Sequence, residues 1–331
     1  MESVGTVAAP AVLLADIGGT NARFSLRVGD ALGPVAHLAV AEHPRFIDAL
    51  GAFLAQHGSG CRITAAILAV AGPTKNGRAE LTNSTWIIDG AELAAELGYP
   101  VQVVNDFEAL ARAVPALGPA DVVALCRGEP LVDTPRLVLG PGTGLGAACL
   151  APYGDDYVVI ATEAGHVTAP SWSTRTDQVI AVMRQRFGHV SAERLLSGSG
   201  LENLYQAVIA LDGFKAPARS AAEITQAALD ASCPASRATL DLFCAMLGEV
   251  AGNLALSFGA RGGVYVAGGI VPRIADVLAR SEFRQRFTDR GRMRAYLEAI
   301  PIWLVVCADC TFLGLQAMAA RLVAPRSKVA A

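Results

Sequence analysis

Apolar positions along the chain follow two rhythms. Short runs that alternate or stay apolar, each stopped by Gly, Pro or Asp, read as strands. Longer segments with apolar residues every third or fourth position read as helices. "AVLLAD" (11–16) and "ARFSLRV" (22–28) predict two strands around a Gly-Gly turn, with a third over 35–40. "PRFIDALGAFLAQH" (44–57) has helical spacing, with Pro44 suited to the first turn. "AAILAVAG" (65–72) predicts a buried strand, and "DGAELAAELG" (89–98) a short helix opened by an acid and closed by Gly98. "VQVVNDF" (101–107) predicts another strand, running into a helix over "EALARAVPAL".

About 125 residues later the opening device returns. In "RLVLGPGTGLGAACLA" (136–151), as in residues 11–26, an apolar run stops at glycines followed by Thr, and a second apolar run begins at once. Residues 173–260 are mainly helical in pattern. "GGVYVAGGIVPRI" (262–274) predicts a strand leaving through Gly-Gly into a helix, "IPIWLVVCAD" (300–309) a last strand, and 311–322 a last helix. Hairpins mixed with strand–helix units predict an α/β protein with mixed sheets. Duplication predicts a small domain at 1–113 plus a returning segment 310–331, and a larger one at 114–309 carrying the helical insertions. A cleft between the domains is expected.

Length and composition agree with two core-forming domains: 331 residues, 53% apolar and 17% charged. A net charge of −3 without basic runs argues against nucleic acid as a partner. Seven cysteines, an odd number, argue against a disulfide framework. The close pair Cys307 and Cys310 lacks the second pair a metal site needs and reads as a strand-end coincidence. No Lys or Arg precedes the N-terminal apolar stretch, and no 18-residue apolar stretch reads as a membrane span. A cytoplasmic protein with no membrane partner is therefore expected.

The glycine turns carry the chemistry. A Walker loop is absent. Gly142, Gly144 and Ala147, with Glu163 beyond, match a dinucleotide fingerprint in form, but that fingerprint must open a helix and residues 147–161 alternate like a strand. Two opposed phosphate loops fit better. Backbone N–H groups in a Gly-rich turn make a concavity for phosphate oxygens, with glycine expected for positive φ and close approach. Gly18, Gly19, Thr20 and Asn21 form one loop; Gly142, Thr143 and Gly144 form the other. Asp16 would repel phosphate, so its expected task is to hold Mg²⁺ through water. Gly268 and Gly269 would let an adenosine approach the backbone. The bland alternative is two tight hairpins with a structural Asp.

These segments resemble a superfamily. "ADIGGTNARFSL", "GPGTGLGAA" and "VAGGIVPRI" are similar to the phosphate-1, phosphate-2 and adenosine motifs of the sugar kinases, heat-shock chaperones and actin. With "LTNSTW", "VVNDFEALARAVPAL", "TEAGHV", "GHVSAERLLSGSGLENLY" and "AGNLALSFGARGGVYVAGGIVPR", the chain resembles the bacterial glucokinases of the hexokinase-like type from about 11 to 322. The resemblance implies two RNase H-like (actin-like ATPase) domains, a homodimer, and transfer of the ATP γ-phosphoryl group to O6 of glucose. It also implies that Asn105, Glu163, His166 and Glu193 bind sugar hydroxyls, with Asn83 at the cleft lip, and that Asp106 binds sugar and is the general base. Sugar is expected to close the cleft around Asp106. Residue by residue, Asn105-Asp106 could instead cap a helix over 107–114, His166 could be a structural histidine, and Glu193 a surface helix acid. Trp86 reads as a core residue.

Two departures stand out. "CADCTFLG" replaces an "NPGLLG"-like run, which affects a hinge but no named site residue. Pro141 replaces a common Ala, removing one N–H donor from the second loop. Rival functions are a kinase for mannose, glucosamine or fructose, a donor such as polyphosphate or ADP, a sugar sensor without turnover, and an actin-like filament or chaperone ATPase. The sensor lacks an added helix-turn-helix, and the filament gives no reason for "TEAGHV" and "NDF".

Overall fold

The computed structural model describes residues 8–81 and 84–323. Residues up to 117 and from 308 onward gather into one compact unit, and 118–307 into another. The first unit contains β1 (Ala9–Ile17), β2 (Asn21–Val28), β3 (Ala31–Leu32), β4 (Ala36–Ala39), α1 (Phe46–His57) and β5 (Cys61–Val70). It continues with β6 (Thr74–Lys75), β7 (Arg78–Glu80), β8 (Ile87–Asp89), α2 (Gly90–Leu97), β9 (Val101–Asn105) and α3 (Asp106–Ala113). The second unit contains β10 (Val122–Cys126), β11 (Arg136–Pro141), β12 (Leu145–Tyr153), β13 (Asp156–Thr162), α4 (Thr174–Phe187), α5 (Gly198–Asp212) and α6 (Ala221–Leu229). It ends with α7 (Pro234–Phe258), β14 (Val264–Val266), α8 (Ala275–Arg280), α9 (Phe283–Thr288), α10 (Arg294–Glu298) and β15 (Ile302–Val305). The chain then returns to the first unit as α11 (Cys310–Val323).

The two main sheets repeat one plan. In the first, ordered β3-β2-β1-β5-β9, the β1/β2 hairpin is antiparallel and β5 and β9 follow in parallel on the other side of β1. In the second, ordered β10-β15-β14-β11-β12-β13, the β11/β12 hairpin is antiparallel and β14 and β15 follow in parallel beyond β11. The duplicated Gly-turn hairpin is thus the start of a duplicated sheet, to which the second unit adds β10. A small sheet, β6-β7-β8, also forms.

Strands β1 and β5 are apolar almost throughout because both faces are covered. Leu13, Ile17 and Leu68 pack with Phe24, Phe46, Phe53 and Trp86 on one face. Val12, Leu14, Ile67 and Ala69 pack with Phe312, Leu315 and Met318 of α11 on the other.

Several boundaries move for local reasons. Pro44 precedes the first turn of α1 rather than opening it; Arg45 is the N-cap, and its N–H donates to Asp48 at 3.1 Å. The strand expected over 101–107 ends at Asn105, whose side chain caps α3. The last strand is only β15, since the N–H groups of Val306 and Cys307 leave the ladder for the Asp121 carbonyl, at 2.8 and 3.3 Å. A 3-10 turn, Val114–Ala116, continues α3, so the first unit runs to 117 rather than 113 and the second to 307 rather than 309. The expectation that no stretch is apolar enough to span a membrane is also corrected. Helix α7 qualifies by length and a mean hydropathy of 1.3, but 78% of that window is buried, so its apolarity serves the core.

Two thiols make a simple test of this core. Cys149 and Cys244 are buried, which pushes the first up to about 11 and the second up to about 12. Thiolate is the reactive form. Iodoacetamide at pH 8 should therefore leave both unmodified in the folded protein and modify both in urea, read by peptide mass spectrometry. Modification of either in the folded protein would contradict this packing.

Candidate active site

The first Gly turn is set by strand register. Ile17 pairs with Ala22 and Asp16 with Arg23 across the β1/β2 hairpin, and Gly18 N–H closes the turn on the Asn21 carbonyl at 2.9 Å. Gly19 lies half-buried in this turn. The Thr20 carbonyl accepts from Val40 N–H at 2.9 Å, leaving the side chains of Thr20 and Asn21 exposed. Arg23 Nη1 donates to Asp16 Oδ2 at 2.9 Å, and the Asp16 side chain is only 15% exposed. Burial pushes the Asp16 carboxyl up, and the Arg23 guanidinium pulls it back down. Asp309 adds a repelling charge and the Thr311 side chain a stabilising hydrogen bond. The divergent "CADCTFLG" segment therefore does reach a predicted site residue, contrary to expectation.

Arg23 was missed in the sequence. A hairpin turning at 18–21 puts 16 opposite 23, so the cross-strand position was its available signal.

The second Gly turn has more support around it. Pro141 pairs with Leu145, Gly142 N–H donates to the Gly144 carbonyl at 2.7 Å, and Thr143 is exposed. Gly198, the first residue of α5, donates its N–H to the Gly142 carbonyl at 2.9 Å. The exit of β14 lies alongside: Ala267 N–H donates to Leu139 O at 2.8 Å. Gly268 takes φ of +90°, and a Cβ there would run into the Pro141 carbonyl, whereas Gly269 has open space. Gly268 thus serves the backbone crossing, and Gly269 is the accessible member of the pair. Positive φ is not what the phosphate-loop glycines provide, since Gly18, Gly142 and Gly144 do not adopt it.

Three predicted sugar residues come together in the second unit. Glu163 is the N-cap of a 3-10 turn, Ala164–His166, and His166 is its last residue. His166 Nε2 lies 3.9 Å from Glu163 Oε2, and its Nδ1 lies 4.0 Å from Glu193 Oε1. Both distances exceed hydrogen-bond reach. With 57% of its side chain exposed, His166 is not a buried structural histidine. Glu193 stands in the turn before α5, not on a helix surface; its N–H donates to Gly165 O at 2.8 Å, and its Oε2 accepts from Leu145 N–H at 2.9 Å.

Asn105 and Asp106 lie on the first unit. Asn105 Oδ1 accepts from Phe107 N–H at 2.9 Å and Glu108 N–H at 3.3 Å, while its Nδ2 donates to Gly72 O at 2.9 Å. The capping alternative is therefore realised for Asn105. Asp106 is half-buried at the first position of α3, with Oδ1 accepting from Phe107 N–H at 2.9 Å. Trp86 is in the core, its Nε1 donating to His43 O at 2.9 Å. Asn83 lies outside the described residues. Among the described residues no group of three or more His, Cys, Asp or Glu side chains could hold a metal by itself.

The glucokinase family model matches residues 13–322. The glucokinase of Paramagnetospirillum magneticum is 46% identical over 311 residues, covering 93% of this chain and 97% of the relative. A glucokinase structure from an Antarctic psychrotroph superposes with a TM-score of 0.83 at 34% identity, covering 94% of this chain and 99% of that one. The glucokinase of Balamuthia mandrillaris, solved in complex with glucose, has a TM-score of 0.77 with 96% of each chain covered; at 22% identity it bears on the fold alone.

Proposed function

The chain belongs to the glucokinase family, has the actin-like ATPase fold and phosphorylates glucose with ATP, and from this premise we propose how its own groups carry the transfer. Asp106 accepts the proton of the sugar's terminal hydroxyl as O6 forms its bond to the γ-phosphorus. The bond from that phosphorus to the bridging oxygen breaks, and ADP leaves. Glu163, His166 and Glu193 hold sugar hydroxyls; Asn105 fixes the start of α3 beside Asp106 and offers its amide to the sugar. The turns at 16–21 and 140–146 hold phosphates through the backbone N–H groups not used to close them, since those of Gly18 and Gly142 bond the Asn21 and Gly144 carbonyls, and Gly269, with Gly268 behind it, receives the adenosine. In this division the small unit carries the first loop and the base, and the large unit carries the second loop, the sugar acids and the adenosine motif.

The observation that carries the proposal is the joining of sugar and nucleotide elements in one place: Glu163, His166 and Glu193 cluster, and Glu193 bonds directly to Leu145 of the second loop. The His166 ring nitrogens stand beyond bonding distance of both acids, so the ring can bond a hydroxyl.

Asp16 is the candidate anchor for Mg²⁺. Arg23 bonds its Oδ2 at 2.9 Å and stands 3.9 Å from Asp309 Oδ1, so this acidic pair already attracts a cation, and Asp16 Oδ1 is the oxygen left for water on a nucleotide-borne Mg²⁺, which needs only one or two carboxylates. When bound, the ion would neutralise charge on the phosphates; Asp16 would anchor it, in part through water. A cytoplasmic setting, a role at the entry of glucose into glycolysis and a homodimer made through the large unit's helices complete the proposal, supported by the family resemblance.

A coupled assay with ATP-Mg²⁺ and a panel of glucose, mannose, glucosamine and fructose tests it. Turnover on glucose far above the others is expected. Preference for another hexose would leave the chemistry and overturn the sugar assignment. Tight glucose binding with no turnover would replace the kinase by a sensor.

A further inference from the structure

The shared hydrogen bond has a consequence for sugar recognition. Glu193 is held by its backbone on both sides: its N–H donates to Gly165 O at 2.8 Å, and its carbonyl accepts from Ser197 Oγ at 2.9 Å. Its side chain leaves that frame and reaches the second phosphate loop, where Oε2 accepts from Leu145 N–H at 2.9 Å. Leu145 is buried, so its amide needs a partner, and the carboxylate supplies a charge-assisted one. Space matters as much as the bond. A Cβ on Gly144 would stand 2.5 Å from Glu193 Oε2 and 3.3 Å from its Cδ, so the carboxylate can occupy this position only beside glycine. The other oxygen, Oε1, faces the His166 side.

We infer that Gly144 and Leu145, residues of a nucleotide loop, are positioning residues for the sugar. The Leu145 N–H and the space left by Gly144 aim the Glu193 carboxylate, so sugar and nucleotide sites share one group. This rests on Glu193 being a sugar acid. The bond is shared, so disturbing the loop misplaces the carboxylate and weakens sugar binding, and removing the carboxylate leaves the buried Leu145 N–H unpaired and disturbs the loop.

Calorimetry of the full chain tests both directions. Glucose titrated into Gly144→Ala without nucleotide should bind roughly tenfold more weakly than to the parent, about the effect of one displaced charge-assisted hydrogen bond. Glu193→Ala should weaken glucose at least as much, and combining the two should add little, because both act through the same carboxylate. Conversely, a non-hydrolysable ATP analogue without sugar should bind several-fold more weakly to Glu193→Ala. Glu193→Gln, which keeps an acceptor for Leu145 N–H, should restore that binding.

If Gly144→Ala leaves glucose binding unchanged while Glu193→Ala abolishes it, the loop does not position the acid, and the inference fails while the sugar-acid role stands. If Glu193→Ala binds glucose like the parent, both fail. Should Gly144→Ala not fold, the analogue titrations of the two Glu193 variants decide alone: equal binding in both overturns the inference.

Discussion

Asp106→Asn is expected to lower kcat by roughly 10²–10⁴-fold, the range for loss of a general base, while glucose still binds. The substitution is close to isosteric, and an amide oxygen can still accept from Phe107 N–H, so the start of α3 should persist. What disappears is the capacity to take a proton. Transition-state stabilisation would fall without an equal loss of ground-state binding, so the defect should appear in kcat with KM changed little. Glucose calorimetry on the variant separates this from a disrupted site. Near-normal turnover would remove Asp106 from the role of base. Collapse of glucose affinity together with activity would make it a binding or structural residue instead.

Arg290→Met should strongly destabilise the second unit. Arg290 lies just past α9, and its side chain is 12% exposed. Its Nη2 reaches Glu249 Oε1 at 3.1 Å and the Glu249 carbonyl at 2.7 Å; its Nη1 bonds the carbonyls of Arg286 and Asp289, and its Nε bonds Asn253 Oδ1. Glu249 is itself buried in α7. Removing the guanidinium takes away the hydrogen-bonded partner of a buried carboxylate, with only the more distant Arg286 charge still acting on it, which costs about 3–5 kcal/mol. In a unit of this size that is a melting-point drop of roughly 10 °C.

The pH dependence has a definite sign. Burial already pushes the Glu249 carboxyl up, Arg290 and then Arg286 pull it down, and Asp289 adds a smaller upward push. Without Arg290 the folded-state value rises further above the unfolded one, so the variant's folded state prefers the proton. Its stability deficit should be smallest below the ordinary carboxylate range and grow as pH rises through the shifted value. Melting at a series of pH values reads this directly, and pairing Arg290→Met with Glu249→Met should recover much of the loss. A deficit below 1 kcal/mol that is flat with pH would mean the pair behaves like the exposed Arg45–Asp48 pair, where little is at stake.

Much of this organisation is legible in the chain because it is local. The Gly-turn hairpins, their duplication and the cap and stop of α2 are written in neighbouring residues; Asp89 accepts from Ala91 and Glu92, and Gly98 sits at φ 76°. Asn105-Asp106 was legible as a pair but not in its division of labour. An Asn before a helical run serves as cap or ligand equally well until the partner N–H groups are seen. Contacts over long separations were not legible. Nothing near Glu193 indicates Leu145, and nothing near Asp16 indicates Thr311. The glycines of the second loop suggested positive φ, but none is adopted there, and what Gly144 supplies is room for the Glu193 carboxylate.

The return of α11 to the first unit fixes an order of assembly. The sheet face of Val12, Leu14, Ile67 and Ala69 is covered by Phe312, Leu315 and Met318. A ribosome must therefore make all of 118–307 before that cover exists, a delay on the order of ten to forty seconds at about 5–20 residues per second. The unit encoded in the middle can complete its core first, and the unit begun first completes last. A nascent chain stalled short of 308 presents a sheet face covered only in part, by α3, to chaperones and proteases, although its phosphate loops and its Asp106 have already been made.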